Sequence, residues 1–314
     1  VGELTITNND SAVLSIELAS SVVEGGTGQL VVTLSNPVDV DVTYDHATAD
    51  GTALSASDYT DTSAGDVVFS NTDGASLTQT LSVATTADDV VELDEDFTIT
   101  IDDLQTSGVV RQVSFPDPDT SDTGTITIVD GDSATISVSH AVAGDDVSVD
   151  EEVGTVTLQV TLDTPVDTAV SVDIGTLGDT ATGDVDYVEG TGTLTFNPLD
   201  TTAQTFDVTI TNDNIVEFNE QLNVLLSNLA AATGRDVTIA DGSSTITILN
   251  DNTAPTDGSG VDLADDDATL SIQLAATQAA SFDEGTNGET TDVNYTITID
   301  NPVAIPVSIN YAAV

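Results

Sequence analysis

Most of the chain is built from short runs in which Val, Ile or Leu alternates with Thr, Ser or Asp. A period of two puts successive side chains on opposite sides of an extended backbone, so each run has one apolar and one polar face and reads as a strand with one side buried. The first third of the chain predicts strands over 12–18, 28–35, 38–48, 66–70, 76–84, 96–104 and 124–129. Gly25-Gly26, Asn36-Pro37 and Asp73-Gly74 punctuate them, each a pair suited to a turn. Helical periodicity is almost absent. About seven strands in about 120 residues is the arithmetic of a two-sheet sandwich.

The pattern repeats. Leu4 to Asp10 reads LTITNND, Ile126 to Asp132 reads ITIVDGD and Ile246 to Asn252 reads ITILNDN, so one strand ending recurs after 122 and then 120 residues. A new start follows each ending: AVLSIEL from Ala12, ATISVSH from Ala134 and ATLSIQL from Ala268, the last delayed by an insertion. A fixed period of this kind marks a tandem array. The predicted organisation is the last strand of a preceding repeat at 1–10, full repeats at 11–132 and 133–252, an acidic linker at 253–267, and the first strands of a further, incomplete repeat at 268–314. On this reading the chain is a segment of something longer. Completion of its open edges by neighbouring copies is an alternative that strand count disfavours, because one donated strand cannot replace four.

Charge then changes the picture. The chain carries 55 acidic residues against two basic ones, Arg111 and Arg235, for a formal charge of −53. That balance excludes nucleic acid and anionic membrane surfaces as partners. Apolar residues still make up 39% of the chain, enough for packed cores. The carboxylates therefore crowd the surfaces of folded domains and call for cations or salt to offset their repulsion. Cysteine, methionine and tryptophan are absent, which removes disulfides and thiol chemistry. No apolar run approaches the roughly 20 residues that cross a bilayer, and the opening segment lacks the pattern of a signal peptide.

Several marks in fixed order now resemble the Calx-beta repeat family. They are Val23-Glu24-Gly25, Tyr44, Asp50-Gly51-Thr52-Ala53, Asp58-Tyr59, Phe69, the run from Asp88 through Glu92 and Glu95 to Phe97, and the ending from Ile126 to Asp132. The second repeat answers with Glu152, Asp179, Asp186-Tyr187, Phe196 and the run from Asn212 to Glu220, and the third with Glu284-Gly285 and Asn301-Pro302. The resemblance implies tandem immunoglobulin-like, seven-stranded antiparallel β-sandwiches that bind calcium (Ca2+) at one end, where loops and the acidic tail after the last strand meet the next domain. Carried over residue by residue, it implies first-repeat ligands Glu24, Asp50, Asp88, Asp89, Glu92, Glu95, Asp130 and Asp132. In the second repeat Glu152, Asp179, Asp213, Glu217, Glu220 and Asp251 remain, with asparagines at 212, 250 and 252 lowering the ligand charge. Calcium takes six to eight hard oxygen ligands, and so many carboxylates gathered without a cation would repel one another. Asp262, Asp265, Asp266 and Asp267 either join the next junction or solvate a linker beside Pro255, Gly258 and Gly260.

Other residues offer less. His46 and His140 stand on separate predicted strands and read as ordinary core or surface histidines rather than a zinc pair. Tyr59 and Tyr187, each after an aspartate, are expected at a sandwich corner with the hydroxyl bonded to backbone. Two glycosylation triplets, at Asn9 and Asn294, are near chance in this composition. Nothing pairs a nucleophile with a base, and aromatic residues, at 4%, supply no sugar platform, so an enzyme is not expected. The expected role is structural: a stalk or filament segment of a secreted, cell-surface protein, stiffened by calcium between neighbouring repeats or copies. The alternatives are an adhesive module that binds a glycan, a protein partner or another cell-surface ligand, and a calcium-sensing regulatory domain.

Overall fold

The computed structural model describes residues 8–116, 120–141, 146–213, 215–249, 268–275 and 293–312, together with Gly2 and Leu4. The first repeat consists of β1 (Ala12–Ile16), β2 (Ala19–Val23), β3 (Thr27–Leu34), β4 (Val42–Asp50), β5 (Ser63–Phe69), β6 (Thr78–Ala84), β7 (Glu95–Thr106), β8 (Val113–Ser114) and β9 (Asp122–Val129). One sheet has the order β6-β3-β1-β8 and the other β2-β9-β7-β4-β5. The alternation seen in sequence closes the core. Leu14, Leu30 and Val32 from the first sheet and Phe97, Ile99 and Ile126 from the second are fully buried in one cluster. Each such side chain contributes about 1.5–3 kcal/mol through the apolar surface it removes from water.

The second repeat runs from β10 (Ala134–His140) through β11 (Val147–Asp150), β12 (Thr155–Leu162), β13 (Val170–Gly178), β14 (Thr191–Phe196), β15 (Gln204–Thr209), β16 (Glu220–Ala230), β17 (Val237–Asp241) and β18 (Ser243–Leu249). Its sheets, β15-β12-β10-β17 and β11-β18-β16-β13-β14, repeat the first plan strand for strand. An antiparallel pair, β19 (Leu270–Leu274) with β20 (Tyr295–Ile299), follows. No helix among the described residues is long and apolar enough to cross a membrane.

Among the described residues nine strands, where seven were expected, make each sandwich, and not all pairs are antiparallel. The segment read as one strand over 12–18 divides: β1 pairs with β3, then the chain crosses to the opposite sheet, where β2 lies parallel to β9. Gly124 admits the crossing, since a Cβ there would stand 2.1 Å from the Glu17 carbonyl oxygen. The crossing delivers Glu24, the residue after β2, to the end of the sandwich where β9 stops. β8, parallel to β1, has only two residues and is too short to leave a periodic signal. The strand expected from residue 38 begins at Val42, because Pro37 and its neighbours form a turn. In the expected terminal strand 1–10, the described residues Gly2, Leu4 and Asn8 to Asp10 carry no strand, and the rest lies outside the described residues, as does the linker 253–267 with Asp262, Asp265, Asp266 and Asp267.

Among the described residues, successive repeats touch through a contact that recurs. The loop between β6 and β7 presents Val91, whose amide donates to the Pro165 carbonyl at 2.9 Å and whose carbonyl accepts from the Asp167 amide at 3.1 Å. Val91 thereby makes a parallel bridge with Val166 and is wholly buried, packed into the core of the second repeat rather than its own. The next junction repeats the geometry. Val216 donates to the Pro302 carbonyl at 3.0 Å, accepts from the Ala304 amide at 3.2 Å and bridges Val303 in parallel.

Candidate metal centre

The loop that carries Val91 also carries carboxylates, and local hydrogen bonds fix how they stand. Asp88 accepts from the Val90 amide at 2.8 Å, an Asx turn that holds the side chain at the loop's first bend. Asp130, just past β9, accepts from the Glu92 amide at 3.1 Å and from the Asp132 amide at 3.2 Å, tying the tail of the domain to this loop. Glu24 arrives from β2, its amide bonded to the Val129 carbonyl at 3.1 Å. Glu95 opens β7. Asp58 comes from the turn after β4, where it caps the Leu54 amide at 2.6 Å.

These residues converge. Glu24, Asp58, Asp88, Glu92, Glu95 and Asp130 line a cavity of about 20 Å³ at the end of the first sandwich, room for a single water-sized guest. Carboxylate oxygens of Glu24, Asp88 and Asp132 lie within 4.8 Å of one another. Such crowding shows in the acidities. Burial, followed by the adjoining Asp132 carboxyl, pushes Glu24 up to about 7. Burial and then the Asp58 carboxylate push Glu95 up to about 7 as well. Glu92 is raised by burial and by the charges of Asp88, Asp167, Asp58 and Asp130. Asp132 also leaves one oxygen, Oδ2, buried without a hydrogen-bond partner. A hard divalent cation fits this donor set: it would take up the orphaned oxygen and supply the charge that protons otherwise provide.

The second repeat rebuilds the site with fewer acids. Asp213 repeats the Asx turn of Asp88, accepting from the Ile215 amide at 2.7 Å. Asp186, Glu217 and Glu220 bring carboxylate oxygens within 4.8 Å of one another. Glu220 rises to about 7, through burial first and then Asp186, Glu217 and Glu151.

Placement of the sequence-derived candidates is uneven. Glu24, Asp88, Glu92, Glu95, Asp130 and Asp132 come together in the first repeat. Asp50 and Asp89 do not line the cavity. Asp50 accepts from the Tyr59 hydroxyl at 2.6 Å and the Ser55 amide at 2.8 Å, and these bonds hold its carboxyl below the usual range. The Tyr59 hydroxyl thus goes to a carboxylate rather than to the expected backbone, while its ring stacks on Phe97 at 4.1 Å. Asp89 points to solvent. In the second repeat Glu217 and Glu220 join the cluster, Asp213 shapes its loop, and Asp179 is exposed with its amide on the Gln221 carbonyl. Glu152 is exposed; its neighbour Glu151, 7% accessible, is the counterpart of Glu24. The register shows why, since β2 ends with Val23 opposite Val129 and β11 with Asp150 opposite Leu249, so the next residues are Glu24 and Glu151. Asp251 lies outside the described residues. Asp58 and Asp186 were missed as site residues, although their shared place before a buried tyrosine was visible in both repeats. Among the described residues neither histidine belongs to a possible metal group.

Among curated proteins none matches the chain. Similar solved structures include an apo-form Calx CBD1 domain at 24% identity, covering 37% of this chain and 98% of that one with a TM-score of 0.32. CBD12 of CALX1.2 is 20% identical and covers 74% and 97%, at a TM-score of 0.33. The calcium binding domain CBD12 of CALX1.1 is 19% identical and covers 74% and 98%, at 0.34. The profile of the Calx-beta domain matches residues 8–132 and again 133–252, and the chain belongs to the Calx-beta family.

Proposed function

We propose that this chain is a non-catalytic, calcium-binding spacer of a secreted surface protein, in which the ion at the end of one repeat also fixes the repeat that follows. One observation carries the reading. The loop whose Asp88 and Glu92 line the small acidic cavity is the same loop whose Val91 is buried in the next domain. An ion held by Glu24, Asp88, Glu92, Asp130 and Asp132 ties that loop to the body and tail of its own sandwich. Hinging at the junction then requires either breaking ion contacts or pulling Val91 from an apolar core. Without the ion, the same carboxylates repel and loosen the loop.

Fewer acids in the second repeat imply weaker calcium binding there, because affinity follows ligand charge. Small-angle scattering of the whole chain at constant ionic strength, with calcium and with chelator, tests the reading. Calcium is expected to narrow the distribution of shapes and lengthen the maximum dimension. Identical profiles under both conditions would reject stiffening even if calcium binds.

A further inference from the structure

The two arginines of this acidic chain occupy one place in successive repeats. Arg235 stands two residues before β17 and Arg111 two before β8, and each pairs through two nitrogens with the aspartate after a Pro-Val step: Arg235 with Asp167, Arg111 with Asp39. In the second repeat this turn is where Val91 docks, and the pair is covered, with side-chain accessibilities of 11% for Arg235 and 26% for Asp167. In the first repeat the same pair stands at 28% and 69%. Two clefts flank the Pro37–Asp39 turn there, one of about 510 Å³ reaching Leu34, Phe69 and Leu77 and one of about 180 Å³ reaching Ser11 and Arg111. Among the described residues, no other residue bonds the Pro37 carbonyl or the Asp39 amide, the counterparts of the groups that hold Val91 on the second repeat.

We propose that the Pro37–Asp39 turn of the first repeat is a docking face whose occupant is the acidic loop of another Calx-beta repeat set ahead of it. A valine of that loop would bridge Val38 in parallel as Val91 bridges Val166. The chemistry matches on each count. The turn offers one acceptor and one donor at the spacing a parallel bridge uses, and Val38 gives the incoming valine an apolar seat. Arg111 sets a cation beside the carboxylates of that loop, as Arg235 is set near Glu92 and Asp130, whose charges help to raise its own pKa. Asn301-Pro302-Val303 meeting Val216 shows that the contact recurs where a preceding repeat is present. The inference rests on the observed junction and not on calcium, so its failure leaves the calcium reading standing.

A second copy of residues 11–132 fused directly ahead of Ser11 supplies the occupant, and amide exchange at Val38 and Asp39 reads the contact. Docking is expected to slow exchange of the Asp39 amide at least about tenfold, toward that of Asp167. Val91→Asp in the added copy is expected to restore the faster rate. That variant keeps its own sandwich, because Val91 packs into the following repeat's core and not into its own. An unchanged Asp39 rate in the fused chain overturns the docking face. A slowed rate that survives Val91→Asp overturns the assigned occupant.

Discussion

At the scale of single residues, neighbours in sequence with the same charge have different fates. Asp88 sits in an Asx turn with an oxygen within 4.8 Å of Glu24 and Asp132, whereas Asp89 faces solvent. Asp88→Asn is therefore expected to weaken calcium binding to the first repeat by about tenfold or more, since it removes a charged ligand. Asp89→Asn should change affinity by less than about twofold, the effect of one screened surface charge. Calorimetric titration of both variants decides between them, and equal losses would mean diffuse counterion attraction rather than coordination. The marks of the Calx-beta family located the Asp88 run and the Asp130 tail, both of which flank strands with strong alternation. They did not separate Asp88 from Asp89, or Glu151 from Glu152, since a one-residue choice depends on strand register and on a three-residue turn that leaves no periodic trace. Asp58 escaped for a related reason: the tyrosine after it explained its position well enough as packing.

At the scale of elements, the alternating runs foretold most strands but not how they connect. The passage of the chain from β1 to β2 was hidden because β2 exposes every second residue and only half-buries the rest, as a strand at a sheet edge does. The docked loop was hidden more deeply. Val90 and Val91 sit among carboxylates between the expected strands 76–84 and 96–104, yet Val91 is fully buried because the apolar surface covering it belongs to another repeat. No single-domain pattern can report a contact made across domains. Val91→Asp places a charge in that core with the Val166 bridge as its surroundings, and should destabilise the second repeat by about 2–4 kcal/mol. The first repeat should keep its stability. Amide exchange resolves the two, with Asp167 and the strands β12 and β13 speeding up while β3 and β7 hold. Equal acceleration in both repeats would contradict the assignment of Val91 to the second core.

At the scale of the whole molecule, a charge of −53 makes two kinds of cation stabilising, and they separate by pH as well as by concentration. Sodium screens the general repulsion over a Debye length of about 8 Å at physiological ionic strength. Calcium held at the proposed acidic sites would stabilise by mass action, by about 2.7 kcal/mol per site at a hundredfold excess over the dissociation constant. Without calcium, Glu24, Glu95 and Glu220 titrate near 7 when folded against 4.5 when unfolded. Between those values the folded chain binds more protons than the unfolded one, so stability of the calcium-free protein falls as pH rises from 4.5 to 7. Below 4.5 the contribution is fully present, and above 7 it is gone. Calcium reverses the trend, because its ligands must lose those protons before they bind, and affinity rises through the same window. Thermal melting at fixed ionic strength should therefore give two curves that diverge with pH: the chelated midpoint dropping from pH 5 to 7.5, and the calcium-loaded midpoint holding or climbing. Curves that stay parallel across that range would show that the cavity carboxylates neither hold protons in place of the ion nor hold the ion itself.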